Sequence, residues 1–231
     1  MLTLTQIKNK SASRLAGLHP VVLAAAEKLI ERCYVSGVPI LITQGLRTAA
    51  EQDALYAQGR TKPGAIVTNA RGGYSYHNYG LAIDFALLLP GGSHASWDMK
   101  RDGNNDGIAD WQEVVKQAKA IGLEWGGDFT SFKDYPHFQM SFGISISGLR
   151  AGLRPSEAQI AAAYKRMEEK EEEAVKSETI AAVKVNGVKV ADGRVENGVT
   201  YVPVRVIAEA LGAKVGYIAA AKTVEITTSS R

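Results

Sequence analysis

Apolar side chains along the first 150 residues follow two different periods, and each period predicts a different element. Apolar positions three or four residues apart predict helices, whereas short apolar or alternating runs predict strands. The predicted helices cover residues 21–34, 48–58 and 111–121, and the predicted strands cover residues 38–43, 81–88 and 137–142. Because helices and strands are interspersed within one stretch of chain, we expect an α+β domain with a small mixed sheet flanked by helices.

Residues at the ends of these segments support the helix predictions. His19-Pro20 precedes the first helix, where proline suits the first turn, and Gly37 follows its end. Thr48 and Glu51 are spaced as a capping box, in which each side chain accepts a hydrogen bond from the backbone of the other. We therefore expect the second helix to begin at Thr48.

Beyond residue 150 the composition changes twice. Residues 151–178 include an almost purely charged run, which is typical of a solvated helical linker. Residues 179–231 alternate around Asn186-Gly187 and again around Asn197-Gly198, and each pair is a strong signal for a β-hairpin. A short helix and a closing strand are predicted at residues 204–211 and 222–227. We therefore predict a first domain at 1–150, a charged helical linker, and a small β-rich domain.

The composition fits a globular protein and excludes several classes. Apolar residues make up 45% of the 231 residues, and the formal net charge of +3 is too small to indicate nucleic acid binding. The longest apolar run is too short to span a membrane, and the N-terminal residues lack the apolar core of a signal peptide. We expect synthesis in the cytoplasm. The lone cysteine, Cys33, falls in a predicted helix, where we expect a buried small apolar residue.

A carboxylate interrupts the second predicted strand. Alternation places Asp84 between two alanines, on the face opposite Leu81, Ile83 and Phe85. A carboxylate in an apolar strand is costly unless it is paired or binds a metal. His77, in the preceding loop, can reach the same point.

A second group of polar residues surrounds the third predicted strand. His137, Gln139 and Ser141 share one face of that strand, and Asp134 lies just upstream in the connecting loop. Arg47 follows a predicted strand and precedes a helix, a place from which a side chain can project into a cleft. These positions favour a polar site at one side of the sheet.

Two imidazoles and one carboxylate suit catalytic zinc, which takes three protein ligands and leaves a fourth position open. Zinc lowers the pKa of water from about 15.7 to about 7. A second carboxylate such as Asp134 is then needed to carry the proton, and a cation such as Arg47 can stabilise the oxyanion. A lone histidine–aspartate pair is more often structural, and a lone arginine more often forms a surface ion pair. The residues alone therefore leave a structural alternative open.

The motif Ser-x-His-x-x-Gly-x-Ala-x-Asp at 75–84, followed by Asp-x-x-His at 134–137, resembles the bacterial and phage D-alanyl-D-alanine carboxypeptidase and L-alanyl-D-glutamate endopeptidase family. The resemblance covers roughly residues 5–145. Further matching segments are Gln44–Thr48, Gln52, Gly59–Gly64, Val67–Ala70 and Trp125–Gly127. It implies one zinc ion and a set of site residues: His77, Asp84 and His137 as ligands, Asp134 as catalytic acid, Arg47 for the transition state, and Ser75 and Gln52 as supporting residues.

The same resemblance implies a peptidoglycan hydrolase that cleaves the L-alanyl-D-glutamate bond of the stem peptide. Aspartate at position 134 mildly favours this activity, because the D-alanyl-D-alanine branch often carries glutamate there. The lack of a signal peptide suggests a phage or prophage endolysin that reaches the wall after holin-type opening of the membrane. The alternatives are a D,D- or L,D-carboxypeptidase of cell-wall turnover and a non-catalytic wall-binding protein.

Residues 102–113 match the pattern of a calcium-binding loop, with a glycine at the sharp turn. The side chains that would bind Ca²⁺ are Asp102, Asn104, Asp106, Asp110 and Glu113. No clear amphipathic helix precedes the loop. The alternative is a turn-rich connector in which Asp110 caps the next helix.

The C-terminal domain resembles the small repeat domain named after the N-terminal domain of copper amine oxidases. The resemblance rests on the Asn-Gly hairpins, Tyr201–Arg205, Ala208–Ala213 and Lys222–Val224. Copper is not implied, because the domain contains no histidine and no other set of metal ligands. The resemblance implies a non-catalytic module that attaches to the cell wall, and a purely structural appendage is the alternative.

Overall fold

The computed structural model describes residues 2–178, 180–196, 199–218 and 221–228, and the chain divides into two compact units, Met1–Glu168 and Glu169–Arg231. The helices of the first unit are α1 (Leu4–Leu15), α2 (Pro20–Val35), α3 (Ala49–Ala57), α4 (Asp110–Ala120) and α5 (Ile146–Arg150), and α6 (Glu157–Glu178) begins in it. Its strands are β1 (Ile40–Gln44), β2 (Ala82–Leu88), β3 (Ala95–Ser96), β4 (Glu124–Trp125) and β5 (His137–Gln139). Two 3-10 turns occupy Tyr76–Tyr79 and Gly126–Asp128. The predicted α+β class is confirmed.

The second and third helices begin as their sequences predict. Pro20 is the first residue of α2, and the ring nitrogen Nδ1 of His19 accepts a hydrogen bond from the backbone N–H of Val21. The capping box at α3 is formed in both directions between Thr48 and Glu51. Cys33 is buried on the apolar face of α2, where it contributes to packing.

Helix α1 is an element that the hydrophobic pattern does not predict. Its buried face combines Ile7 and Leu15 with the polar Ser11, which breaks the apolar period. The Ser11 hydroxyl oxygen accepts a hydrogen bond from the backbone N–H of Ile42 at 3.1 Å. The serine therefore fixes α1 to strand β1, since a buried hydroxyl without this partner would be costly.

The central sheet has the order β1-β2-β5-β4, with β3 beside β2. Every pairing between these strands is antiparallel, so the predicted mixture of strand directions is wrong. The physical reason is that the long connection leaves β1 and enters β2 at the same end of these two strands, so β2 runs antiparallel to β1. At that end of the strands, Gln44, Asp84 and His137 occupy paired positions on three adjacent strands.

Aromatic rings form the core beneath this end of the strands. The ring centroid of Phe85 lies 4.4 Å from that of Trp111 and 5.0 Å from that of Phe138, and all three side chains are buried. Burial of a ring of this size contributes about 1.5–3 kcal/mol. Because neighbouring residues of a strand face opposite sides, Asp84 and His137 lie on the other face, held in position by this packed layer.

Helix α6 begins within the predicted linker, and its first turns pack against the first unit. Ile160, Ala163 and Met167 of α6 lie against the core of the first unit, and Met167 is only 4% exposed. The first unit accordingly extends to Glu168. The division into a catalytic domain, a linker and an attachment module stays a prediction.

The second unit contains β6 (Ile180–Val185), β7 (Val188–Glu196), β8 (Val199–Tyr201), α7 (Val204–Ala210), β9 (Lys214–Ile218) and β10 (Thr223–Thr227). β6, β7 and β8 form one antiparallel sheet, and β9 and β10 form another. Asn186 and Gly187 both have positive φ, at 51° and 81°, as the predicted hairpin turn requires. The second predicted turn, Asn197-Gly198, lies outside the described residues.

Large apolar side chains of the second unit are mostly exposed. Among its residues whose burial the structure describes, only Gly193, Ala208 and Ala213 are buried.

None of the helices described in either unit is long and apolar enough to cross a membrane.

Candidate metal centre and active site

His77 lies in the 3-10 turn Tyr76–Tyr79, which is fixed at both ends. Ser75 caps the turn, since its hydroxyl oxygen accepts a hydrogen bond from the N–H of His77 at 3.4 Å. Gly80 ends the turn with φ of 67°, a left-handed conformation that favours glycine. Nδ1 of His77 lies 2.8 Å from the carbonyl oxygen of Gly45. Because a carbonyl only accepts, Nδ1 carries the proton, and Nε2 keeps a lone pair for a metal.

Asp84 and His137 are direct neighbours on two adjacent strands. β2 and β5 pair with Asp84 directly opposite His137. Nδ1 of His137 lies 3.2 Å from Oδ1 of Asp84, and Nε2 of the same ring lies 3.1 Å from Oε1 of Gln139. The register of the sheet therefore places the two residues side by side, and the orientation of the imidazole turns its Nδ1 towards Asp84 and its Nε2 towards Gln139.

Three ligand atoms form a small triangle. Nε2 of His77 is 3.3 Å from Oδ1 of Asp84 and 3.2 Å from Nδ1 of His137. Tetrahedral ligands at zinc bond lengths of about 2.0–2.1 Å lie about 3.3–3.4 Å apart. In the part of the chain that the structure describes, this is the one group of three or more metal-ligating side chains that converge. Its two nitrogens and one oxygen fit catalytic zinc in both spacing and chemistry.

The charges in this triangle favour a cation. Burial raises the pKa of Asp84, but the charge of His77 and the hydrogen bond of His137 outweigh it and hold that pKa well below its usual range. Burial lowers the pKa of His137, whereas Asp84 and Asp134 raise it, and the net direction is upward. Asp84 therefore stays ionised and offers a negatively charged oxygen to a metal ion.

Arg47 lies against the metal-site carboxylate. Its Nη2 is 3.6 Å from Oδ2 of Asp84. The two histidines contact the other oxygen of that carboxylate, Oδ1. The backbone N–H of Arg47 donates to the carbonyl oxygen of His77 at 3.1 Å, which ties the two loops together. Nε of Arg47 is buried and has no hydrogen-bond partner among the described residues. A buried donor without an acceptor is costly, so an oxygen of a bound substrate would be stabilised there.

Gln52 holds the guanidinium of Arg47 in place. Its side chain is fully buried, and its Oε1 accepts a hydrogen bond from Nη1 of Arg47 at 2.7 Å. Its Nε2 donates to the hydroxyl oxygen of Thr68 at 3.2 Å and to the carbonyl oxygen of Ala70 at 2.8 Å. The predicted supporting residue thus connects Arg47 to the loop that forms one wall of the cleft.

Asp134 lies in the loop that leads into β5. Its N–H donates to the carbonyl oxygen of Gly126 at 3.1 Å, and its own carbonyl accepts from the N–H of His137 at 3.2 Å. A Cβ on Gly126 would lie 2.3 Å from the carbonyl oxygen of Asp134 and 3.0 Å from Cβ of His137, so only glycine fits there. Burial raises the pKa of the Asp134 carboxyl, the charge of Asp84 raises it further, and the two histidines only partly offset this. A carboxyl whose pKa is raised suits the acceptance and release of protons.

The raised pKa of Asp134 predicts a stability effect in the metal-free protein. A raised folded-state pKa means that the folded chain binds the proton more tightly than the unfolded chain, so the ionised group destabilises the fold at neutral pH. Asp134→Asn is therefore expected to raise the melting temperature at neutral pH. The gain is expected to disappear below the ordinary pKa of 3.8, where both states are protonated.

Thermal unfolding of the metal-free wild-type and Asp134→Asn proteins across this pH range measures the effect. A gain of equal size at all pH values, or a loss at neutral pH, would show that the charge of Asp134 is not its cause.

The converging residues lie in an open cleft of about 1100 Å³, to which His77, Asp84, Asp134 and His137 all contribute. This is above the size of pockets that bind small ligands, and it suits an extended chain such as a peptide. Many of the other lining residues are aromatic or carry hydroxyl or amide groups, among them Tyr74, Tyr76, Phe129, Phe132, Thr68, Asn69, Thr130 and Ser131.

The acidic loop at 102–113 is folded by its own hydrogen bonds. The carboxylate of Asp102 accepts from two backbone N–H groups of the loop. Asp110 is buried and lies 3.3 Å from Nε of Arg101. α4 begins at Asp110 with Ala109 as its N-cap, so the alternative in which Asp110 caps that helix is wrong. Among the described residues, the acidic side chains of this loop do not converge as His77, Asp84 and His137 do. Calcium binding stays a prediction.

Some supporting contacts lie outside the set that the sequence predicts. The Gly45 carbonyl that fixes His77 is a backbone atom with no sequence signal. Asn78 donates from Nδ2 to the carbonyl oxygen of Arg47 at 2.9 Å, and its Oδ1 accepts from two backbone N–H groups of the loop before His77. Gln139 had a signal, because strand alternation places it on the same face as His137.

The second unit has a family match of its own. Residues 184–231 match the family model described as the copper amine oxidase N-terminal domain, as the resemblance of this part of the sequence predicted.

Two solved structures resemble the chain. One is the crystal structure of the Serratia marcescens L-Ala D-Glu endopeptidase ChiX, with 23% identity, coverage of 58% of this chain and 87% of that chain, and a TM-score of 0.42. The other is VanYB in complex with D-alanine-D-alanine, with 16% identity, coverage of 70% and 83%, and a TM-score of 0.38.

Sequence comparisons of the first unit point to one family. Residues 68–140, which contain the metal triangle, match the family model described as D-alanyl-D-alanine carboxypeptidase. The peptidoglycan L-alanyl-D-glutamate endopeptidase CwlK of Bacillus subtilis (strain 168) is 58% identical over 123 residues, which are 53% of this chain and 73% of that protein. The L-alanyl-D-glutamate peptidase of Listeria phage A118 is 33% identical over 119 residues, which are 52% of this chain and 36% of that protein. The chain therefore belongs to the family of L-alanyl-D-glutamate endopeptidases and D-alanyl-D-alanine carboxypeptidases.

Proposed function

We propose that the protein is a peptidoglycan hydrolase, a zinc-dependent endopeptidase that cleaves the L-alanyl-D-glutamate bond of the stem peptide. The observation that carries the proposal is the convergence of Nε2 of His77, Oδ1 of Asp84 and Nδ1 of His137 in a chain of this family. The complete ligand set and the adjoining carboxylate favour catalysis over a protein that only docks on the wall.

In this proposal His77, Asp84 and His137 would hold a single zinc ion in the cleft that they line. Zinc at such a site supplies Lewis acidity, which makes water a nucleophile near neutral pH and polarises a carbonyl group. The chain fixes the ligands from three directions: the Gly45 carbonyl orients His77, the sheet register orients Asp84, and Gln139 orients His137.

Asp134 and Arg47 supply the remaining chemistry. Asp134, whose pKa is raised, accepts a proton from the attacking water and passes it to the leaving amino group. Arg47 stabilises the negative charge that develops on the scissile carbonyl oxygen, with Gln52 keeping the guanidinium in place. Ser75 acts indirectly, through the cap that holds the turn of His77.

A second candidate is carboxypeptidase activity on the D-alanyl-D-alanine end of the stem peptide. The description of the matching family model favours it. The 58% identity to an endopeptidase and the aspartate at position 134 favour the first candidate.

For the second unit we propose attachment to the cell wall. The support is its family match together with the exposure of large side chains, among them Tyr201 at 58% and Tyr217 at 60%. The similarity to a phage peptidase supports the role of an endolysin, which acts on the wall once the membrane has been opened.

The bond cleaved is tested by digesting purified peptidoglycan with the zinc-loaded protein and analysing the products by mass spectrometry. New L-alanine carboxyl ends and new D-glutamate amino ends are the expected result. Release of free D-alanine instead would establish the carboxypeptidase candidate, and unchanged peptidoglycan would overturn both.

A further inference from the structure

A line of hydrogen bonds extends from the metal triangle through Gln139 to Glu124. Nε2 of His137 lies 3.1 Å from Oε1 of Gln139, and Nε2 of Gln139 donates to Oε2 of Glu124 at 2.9 Å. The other carboxylate oxygen of Glu124 accepts from both the hydroxyl and the backbone N–H of Ser141. The imidazole is therefore connected through one amide to a carboxylate.

The sheet fixes the geometry of this line. Glu124 of β4 and Gln139 of β5 are paired positions, so their side chains lie on the same face. His137 and Gln139 are two residues apart on β5, which also places them on that face. Both are 6% exposed, so water has little access to the imidazole–amide contact.

The carboxylate gives the line a direction. A carboxylate only accepts hydrogen bonds, so the amide of Gln139 must turn its NH₂ group to Glu124 and its oxygen to His137. The amide oxygen can in turn only accept, so Nε2 of His137 must carry the proton. The lone pair of the neutral ring is then on Nδ1, the atom that lies 3.2 Å from Oδ1 of Asp84.

We propose that Glu124 and Gln139 are positioning residues that hold His137 in the tautomer and orientation in which Nδ1 binds the metal. The inference rests on the proposed zinc function. Outer partners of this kind raise the basicity of a ligating imidazole and limit its rotation, and their loss typically weakens metal binding by about 10–100-fold. The effect acts on the affinity for zinc before any substrate is present.

Two variants separate this role from simple packing. Gln139→Leu keeps a similar volume and removes both hydrogen bonds. The double variant Glu124→Gln/Gln139→Glu exchanges the two groups, so that the carboxylate accepts directly from Nε2 of His137 and the amide at position 124 donates to it. Gln112→Leu, at an exposed position of α4, is the matched control.

The measurement is the dissociation constant for Zn²⁺, by chelator competition on metal-free full-length protein, with thermal unfolding of the same metal-free samples. We expect Gln139→Leu to weaken zinc binding by about 10–100-fold. We expect the exchanged double variant to bind zinc nearly as well as wild type, and Gln112→Leu to match wild type.

Wild-type zinc affinity in Gln139→Leu would overturn the proposal. If that variant does not fold, a folded double variant with strongly weakened zinc binding would overturn it instead. Peptidoglycan hydrolysis by the wild-type protein is measured in parallel. Hydrolysis with unchanged affinity in Gln139→Leu rejects the positioning role alone, whereas the expected affinities without hydrolysis reject the proposed function alone.

Discussion

Replacing His77 by alanine is expected to lower the rate of peptidoglycan hydrolysis by at least about 10³-fold, because the several kcal/mol that a bound metal contributes to the transition state are lost. His77 supplies one of the three converging ligand atoms. The two atoms that remain cannot complete a catalytic zinc site, which uses three protein ligands. The measurement is the initial rate at which amino groups are released from purified peptidoglycan, with the zinc content determined on the same sample.

His94→Ala is the matched control. His94 lies in an exposed loop and belongs to no converging group among the described residues, so its variant is expected to keep the wild-type rate and zinc content. A His77→Ala protein that hydrolyses peptidoglycan as fast as wild type would contradict the assignment of His77.

Replacing Asp134 by asparagine is expected to slow hydrolysis by about 10²–10⁴-fold, the range that a general acid or base contributes. The amide is close in shape to the carboxyl group, but it cannot accept a proton and release it again. Because Asp134 is outside the converging ligand set, the variant is expected to bind zinc as the wild-type protein does. Rates at saturating substrate, together with the zinc affinity, separate the two effects.

Asp128→Asn provides the comparison within the same cleft wall. Asp128 also lines the cleft, but its carboxylate is exposed and pairs with Lys119 at 2.6 Å. We expect this variant to keep nearly full activity. Equal losses in the two variants would mean that the loop needs its charge in general, and that Asp134 has no specific part in proton transfer.

The sequence predicts which residues share one face of a strand better than it predicts which residues of different strands lie next to each other. Alternation alone placed Asp84 opposite the core residues of β2, and the packing of Phe85 against Trp111 and Phe138 agrees with this. The pairing of Asp84 with His137 depends on the register between β2 and β5, which two segments far apart in the chain do not reveal. Only the family resemblance predicted that these side chains converge.

Other features of the fold do not follow from the sequence pattern, for physical reasons. The pattern does not predict α1, because Ser11, a polar residue, occupies a core position and accepts a hydrogen bond from the backbone of β1. The pattern does not predict the strand directions either, because a hydrophobic run does not show at which end of the sheet the chain enters or leaves a strand. The contact between Gln139 and Glu124 needs both the alternation of β5, which is readable, and its pairing with β4, which is not.

A zinc titration of the metal-free protein, with hydrolysis of peptidoglycan as the readout, tests the zinc dependence of the activity most directly. We expect no hydrolysis without metal, a rate that rises in proportion to added zinc, and a plateau at one zinc ion per chain. A rate that survives complete removal of metal, or that continues to rise well beyond one zinc ion per chain, would contradict a single catalytic zinc site.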